Sequence, residues 1–310
     1  MKRYFSTPLL LLLSLMLASA ACRSTGPGST TLPQWDLSRA EFLQWTADDP
    51  AFDQDHAIEA SGMAAEGNNF WIASEKYARL LRLDSRNLRV RVEKIDLPEF
   101  SEVEGITLDS EHGLLMTDEA HAEIFVIGGD NRPHPVDLSS LGLQGDKDGI
   151  EGIASTNDGS ERVFLLLERS RIAPEDCIST IFLLRWDQDR LLSTGKHIIL
   201  PLEDCNWRLT ALEYFRGHLL ALKTRFPGPR YELISVNPRT GEMKTLLDLD
   251  RLIERAEAEG WHGNIEGMAL ETDGSLWIVS DNAMTHRVET EIPPVVRRKT
   301  LLLMIPAISE

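Results

Sequence analysis

From about residue 55 to 306 the chain is built of short apolar runs separated by polar turns, and the runs come in a recurring set. Each set opens on a similar element: Ala60-Ser61-Gly62-Met63-Ala64, Val103-Glu104-Gly105-Ile106-Thr107, Ile150-Glu151-Gly152-Ile153-Ala154 and Ile265-Glu266-Gly267-Met268-Ala269, with a degenerate copy at Leu209-Thr210-Ala211-Leu212-Glu213. A second apolar run follows each: Phe70 to Ser74, Leu114 to Thr117, Val163 to Leu167, Leu219 to Lys223 and Leu276 to Ser280. Turn formers such as Gly67-Asn68, Asn157-Asp158-Gly159 and Asp273-Gly274 sit between the two runs, so each set opens as an antiparallel hairpin. Third runs follow at 80–83, 124–127, 181–184, 231–236 and 301–305, and fourth runs are weaker and polar, like Val90 to Ile95, as edge strands tend to be.

The second position of the element, held by Ser61, Glu104, Glu151, Thr210 and Glu266, recurs at intervals of 43, 47, 59 and 56 residues. That period belongs to propeller blades. The pattern predicts an all-β chain forming a β-propeller of five four-stranded blades, with six open if the long third or fourth unit hides a diverged blade. The last unit lacks a fourth run, and Phe42-Leu43-Gln44-Trp45 is expected to supply it, an N-terminal strand closing the last blade. One amphipathic helix is predicted over Asp250 to Glu259, with Gly260 as its stop. A β-sandwich would not repeat one Glu-Gly-apolar signature at blade spacing, and a parallel α/β sheet would need a helix after every strand.

The start of the chain has a different logic. Lys2 and Arg3 precede an apolar run from Leu9 to Leu17 and a small-residue stretch, Ala18-Ser19-Ala20-Ala21, before Cys22. This is the layout of a signal peptide over residues 1–21. Cys22 sits where a bacterial lipoprotein carries its lipid, although Ala18-Ser19-Ala20 also fits an ordinary cleavage site. Residues 22–34 read as a tether and 35–310 as a single propeller domain. The expected location is the bacterial cell envelope: periplasmic, and membrane-anchored through the lipid, with no other membrane contact. In that oxidising setting the remaining pair, Cys177 and Cys205, is expected to form a disulfide, two buried thiols being the alternative.

The formal charge is −17, and the signal segment carries two basic and no acidic side chains. A chain this acidic is not a nucleic-acid partner. It favours capture of cations.

In a propeller the innermost strand of each blade lines the channel and the second strand runs back beside it. The start of the first and the end of the second therefore emerge at one mouth. The first strands bring Ser61, Glu104, Glu151, Thr210 and Glu266 there, with Glu59 on the same strand face as Ser61. The second strands bring Glu75, Asp118, Glu168 and Asp281, with the cations Lys76, Arg169, Arg171, Lys223 and Arg225 beside them. The glycines answer to crowding at the axis. The converging glutamates must be neutralised by a cation, hydrogen-bonded to amides or partly protonated. An all-oxygen set suits Ca²⁺, giving Glu104, Glu151, Glu266 and Glu59 as candidate metal ligands. Lys76, Arg169, Arg171, Lys223 and Arg225 are candidate ligand-binding residues for an anionic or phosphorylated small molecule, or else salt-bridge partners of their acidic neighbours. Asp118 and Asp281 are candidate catalytic residues that orient a water. No H-E-x-x-H or G-x-S-x-G motif occurs.

The stretches Glu59 to Met63, Asp148 to Ala154, Asn264 to Ala269 and Leu276 to Asn282 resemble the phytase-like family named for the esterase-like activity of phytase, a group of exported bacterial propellers. The resemblance covers about residues 55 to 306. It implies a propeller and points to a calcium site and a phosphoester-hydrolase activity. Thr210 stands where the motif has glutamate, so a complete carboxylate ring is not expected. Two functions follow: a metal-assisted, esterase-like hydrolase of phosphorylated molecules, or a non-catalytic scaffold lipoprotein that binds a ligand or an envelope protein.

Overall fold

The computed structural model describes residues 31–95, 97, 98, 101–129, 131–136, 138, 141–143, 149–157, 163–167, 177–188, 190–282 and 299–308. The signal segment, Cys22, Glu168, Arg169 and Arg171 lie outside these residues.

Five antiparallel sheets follow one another along the chain. Blade 1 holds Ala60–Glu66, Asn69–Ser74, Arg79–Asp84 and Arg89–Val92; blade 2 holds Val103–Asp109, Gly113–Asp118, Glu123–Ile127 and Pro133–Val136. Blade 3 holds Ile150–Ser155, Val163–Leu167, Ile178–Asp187 and Arg190–Pro201; blade 4 holds Trp207–Phe215, His218–Arg225, Arg230–Val236 and Met243–Asp248. Blade 5 holds Asn264–Leu270, Leu276–Asp281 and Leu302–Ile305, with Glu41–Phe42 paired to the last of these through Glu41 with Met304 and Phe42 with Leu303. The result is a five-bladed propeller of four-stranded blades. The long third and fourth units hold one blade each; their extra length is in long outer strands and, in the fourth, the helix.

Five hydrophobic cores lie between neighbouring blades, one at each interface of the ring. This explains why the second runs read as continuous apolar stretches: a strand in mid-blade is buried on both faces. All five residues of Val163–Leu167 are buried, with even positions facing blade 4 and odd positions facing blade 2. The helix, Asp250–Ala258, inserts Leu252, Ile253 and Ala256 into the core between blades 4 and 5 and stops at Gly260, as its amphipathic pattern predicts.

The N-terminal segment touches two blades. Beyond the pairing of Glu41–Phe42 with blade 5, Thr46–Ala47 runs parallel to Arg89–Val92 on the outer edge of blade 1. The buried Gln54 side chain ties the segment down: its amide donates to the carbonyls of Leu43 (3.2 Å) and Thr300 (3.1 Å), and its oxygen accepts from Trp45 N–H (2.7 Å).

The disulfide between Cys177 and Cys205 is present, with Cα atoms 4.5 Å apart. It joins the entry of blade 3's third strand to the loop leading into blade 4.

Around the axis the inner strands approach so closely that there is no room for a methyl group. A Cβ on Gly105 would lie 2.8 Å from the Cα of Gly152 in the next blade, and one on Gly152 would lie 3.1 Å from Leu212 N in the blade after that. Gly62 and Gly267 face the same backbone contact, and Ala211 fills this position in blade 4. Replacing Gly105 by Ala is therefore expected to destabilise the protein by about 1–3 kcal/mol or more, because the clash is with backbone that cannot rotate away. Gly129→Ala, where a methyl meets nothing within 4 Å, should stay within about 0.5 kcal/mol. Urea unfolding of the two variants beside the wild type checks this.

Candidate functional site

Every blade carries a β-bulge at the same place. The pairing of the first two strands slips between Ala60 and Met63, Val103 and Ile106, Ile150 and Gly152, Leu209 and Ala211, and Ile265 and Gly267. The residue at each slip is the recurring slot: Ser61, Glu104, Glu151, Thr210 or Glu266. A bulge leaves its extra residue outside the ladder and re-aims its side chain. Here five bulges turn five side chains into one channel, lined by these residues together with Met63, Ile106, Ile153, Leu212 and Met268.

The slot residues are buried, and two of them are satisfied locally. The hydroxyl of Ser61 donates to the Val103 carbonyl, and that of Thr210 to the Ile265 carbonyl at 3.2 Å, so each ties its blade to the next. The three glutamates bring carboxyl groups into the same channel. Desolvation pushes the Glu104 carboxyl well above its usual range, and the charges of Glu151, Glu75, Glu266 and Glu119 add to the rise. Glu266 is pushed up to about 8 by burial and by Asp281, against the pull of Arg208. Its Oε1 accepts from Arg208 Nη2 at 2.9 Å and Asn264 Nδ2 at 2.8 Å.

A second tier lies above the first. Two residues before each slot stand Glu59, Glu102, Gly149, Arg208 and Asn264. Facing them from the second strands are Glu75, Glu119, Thr224 and Asp281: Glu75 N–H donates to Glu59 O (3.0 Å), Glu119 N–H to Glu102 O (2.9 Å), Arg208 pairs with Thr224, and Asn264 with Asp281. Glu75 is raised to about 7, first by desolvation and then by Asp281, Glu59, Glu102 and Glu119. The tier is acidic on blades 1, 2 and 5. On blade 4 it carries Arg208.

Several predicted residues are placed differently from expectation. Asp118 does not belong to this tier, because the first hairpin loop of blade 2 has three residues (110–112) where that of blade 1 has two (67, 68), which moves the equivalent position to Glu119. Asp118 is wholly buried, and its oxygens accept from Glu102 N–H (3.2 Å), His121 N–H (3.4 Å) and His121 Nδ1 (2.9 Å). Its carboxylate is thus engaged by the turn that follows the second strand and by the entry to the first. Asp281 is in the tier, accepting from Asn264 Nδ2 at 3.3 Å. Glu59 is not among the channel-lining residues; its carboxylate sits 3.7 Å from Lys76 Nζ. Lys223 is 4% exposed, donates to Glu203 (2.6 Å) and Glu232 (3.2 Å), and lies 4.1 Å from the Trp207 ring. Arg225 pairs with Asp204 at 3.1 Å and donates to Pro227 O at 2.7 Å. These two cations anchor the loop that carries Cys205, so the salt-bridge reading describes them. Arg208, Glu102, Glu119 and His121 were not singled out from the sequence; counting two residues back from every slot finds the first two of these.

The donor set at the mouth is all oxygen, which suits a hard cation. It does not enclose one: among the described residues no group of three or more His, Cys, Asp and Glu side chains could hold a metal ion. Glu104 and Glu151, neighbours around the ring, would form an open site.

Further along blade 4's inner strand, Glu213 is pushed up to about 8 by burial, opposed only by a hydrogen bond from Tyr214 N–H. A carboxyl raised in the folded state stays protonated while the unfolded chain ionises, so stability falls as pH rises from about 4.5 to about 8. Glu213→Gln should leave stability unchanged near pH 4 and raise it by roughly 2–4 kcal/mol at pH 8. Denaturant midpoints at the two pH values test the sign.

The phytase-like family model, described as esterase-like activity of phytase, matches residues 34–283. No curated protein matches the sequence. Among solved structures, the chain is similar to a PQQ-bound aldose sugar dehydrogenase from Streptomyces coelicolor (12% identity, 86% of this chain and 98% of that one, TM-score 0.44). It is also similar to a gluconolactonase from Xanthomonas campestris (14% identity, 89% and 97%, TM-score 0.46).

Proposed function

The chain belongs to the phytase-like family, and from that premise we propose that its channel mouth captures a divalent cation, Ca²⁺ first, and with it an anionic or phosphorylated small molecule whose ester it hydrolyses. The observation that carries this reading is the set of five bulges aiming three carboxylates into one channel, with Arg208 paired to Glu266 at its edge. Glu104 and Glu151 would hold the ion, in an open site whose remaining positions suit water and ligand oxygens. Such an ion supplies positive charge to a phosphoryl oxygen. Asp281 and Asn264 fix the Glu266 side of the mouth, and the Arg208 guanidinium lies where an anionic group would enter. Lys76, half-exposed and paired with Glu59, is a further cation on blade 1 for such a group.

The site needs a closed ring, and we read residues 41–47 as its clasp, supported by their pairing with both blade 5 and blade 1. We also place the protein in the bacterial envelope, tethered at Cys22. The signal-like segment 1–21 supports this, and so does the Cys177–Cys205 disulfide, a bond that persists in oxidising compartments. A non-catalytic scaffold is the second reading, favoured by the engagement of Lys223 and Arg225 in ion pairs.

Two measurements separate the readings. Metal analysis of purified protein is expected to find Ca²⁺, and added Ca²⁺ at 100 times its Kd should stabilise by about 2.7 kcal/mol, reversed by EDTA. Hydrolysis of p-nitrophenyl phosphate should require the ion, and Glu151→Gln should fold normally while needing about 10- to 100-fold more Ca²⁺. No metal, no thermal response and no hydrolysis would leave the scaffold.

A further inference from the structure

The face of blade 1 that turns toward blade 2 is apolar near the axis and charged on its outer strands. Ala73 and Leu80 join the core shared with blade 2, while Phe70, Ile72, Leu81, Leu83 and Val90 point the other way, toward blade 5. Strand alternation therefore puts Asn69, Arg82, Asp84, Arg89, Arg91 and Glu93 on the blade 2 side. The register stacks them in rungs: Asn69 opposite Asp84 opposite Arg89, then Arg82 opposite Arg91. Asp48 joins them from the N-terminal segment, where its N–H donates to Val90 O at 2.9 Å. With Asn87, these side chains line a cleft of about 360 Å³.

Every residue that lines the cleft is polar or charged. Small-molecule sites of this size, about 300–1,000 Å³, are mostly apolar. The arrangement is also unfavourable for the sheet itself, because Arg82 and Arg91 stand directly opposite each other as a like-charge pair. Part of the charge is answered within the chain: Arg82 donates to Glu66 at 2.8 Å, and Asp84 accepts from Arg86 (3.2 Å) and Asn87 (3.0 Å). The rest is not. Arg91 lies 3.8 Å from Asp48, and among the described residues the side chains of Asn69, Arg89 and Glu93 have no hydrogen-bond or ion-pair partner.

The unused groups sort by position. Arg89 and Arg91 are two apart on one strand face, roughly 6–7 Å along it, so two guanidinium forks can close on one carboxylate or phosphate. Glu93, two residues further on the same strand, and Asn69, across the sheet, supply acceptors for hydroxyl groups. A ligand that meets both sets carries one anionic group and several hydroxyls, and has no apolar body.

We propose that this cleft is a binding site for an anionic sugar, a single ring carrying a carboxylate or a phosphate, with the anion on Arg89 and Arg91 and the hydroxyls on Glu93 and Asn69. The site is separate from the channel, and the two share no lining residue. It does not depend on the hydrolytic reading above.

The test titrates the full chain, in EDTA, with glucuronate, glucose 6-phosphate, glucose and inorganic phosphate, and follows the heat of binding. Glucuronate, glucose 6-phosphate or both should bind with a Kd below about 1 mM, and glucose and inorganic phosphate at least about tenfold more weakly. The tighter of the two acids identifies the anion. Arg89→Ala and Arg91→Ala should each weaken that binding about 10- to 100-fold with the melting temperature unchanged. Arg89→Lys should recover part of the loss, since it keeps the charge but not the planar fork. Arg208→Ala, at the channel mouth, should leave the affinity as it is. The assignment is overturned if neither acid binds, if glucose or inorganic phosphate binds as tightly as the acids, if Arg89→Ala and Arg91→Ala leave the affinity unchanged, or if Arg208→Ala abolishes it.

Discussion

The approach of the five inner strands to one axis is the constraint on which the rest depends. Strands that close cannot all carry side chains on every face and remain in regular pairing. The chain resolves this with a residue pair repeated in every blade: the first is pushed out of the ladder by a bulge and points into the channel, and the second is Gly, or in one blade Ala, beneath the neighbouring backbone. Packing thus creates the site. The same irregularity that lets blades meet also delivers five side chains to a common opening, so what fills those five slots is free to vary with function.

The filling is uneven. Ser61 and Thr210 use their slots to bond the next blade, while Glu104, Glu151 and Glu266 bring charge into a desolvated space. Among the described residues, the blade 4 side of the upper tier answers with a guanidinium. Carboxyls raised by burial and by one another are held in the folded state against their preference, a cost borne by the packed interfaces between blades. A cation relieves it, and so does a proton. A cation bound as proposed would therefore compete with protons for the same groups.

Much of this is legible in the sequence. The repeated Glu-Gly-apolar element marks the blades because close approach demands Gly at one fixed place, and the continuous apolar second runs report burial on both faces. The helix is visible because Leu252, Ile253 and Ala256 fall on one side of it. What escapes is register. A single extra residue in the hairpin loop of blade 2 shifts Asp118 out of the upper tier and brings Glu119 in, and no count of run lengths shows where a bulge absorbs a residue. Pairing escapes as well: Lys223 and Arg225 look like free cations along the chain, but Glu203, Asp204 and Glu232 reach them across a fold-back that is evident only in three dimensions.

The route of the N-terminal segment has a mechanical consequence. Trp35 bridges to Ala307 and donates its indole N–H to Gly274 O, Glu41–Phe42 pairs with the last strand, and Thr46–Ala47 pairs with the edge of blade 1. A pull applied ahead of residue 35 is carried into the seam between the first and last blades. Inside that seam the Asn282 side chain binds the backbone of His56, Ile58 and Glu59, next to the acidic tier. The leading segment and the acidic tier thus meet at one joint, where the backbone of residues 56–59 is bound to the last blade and leads directly into the first.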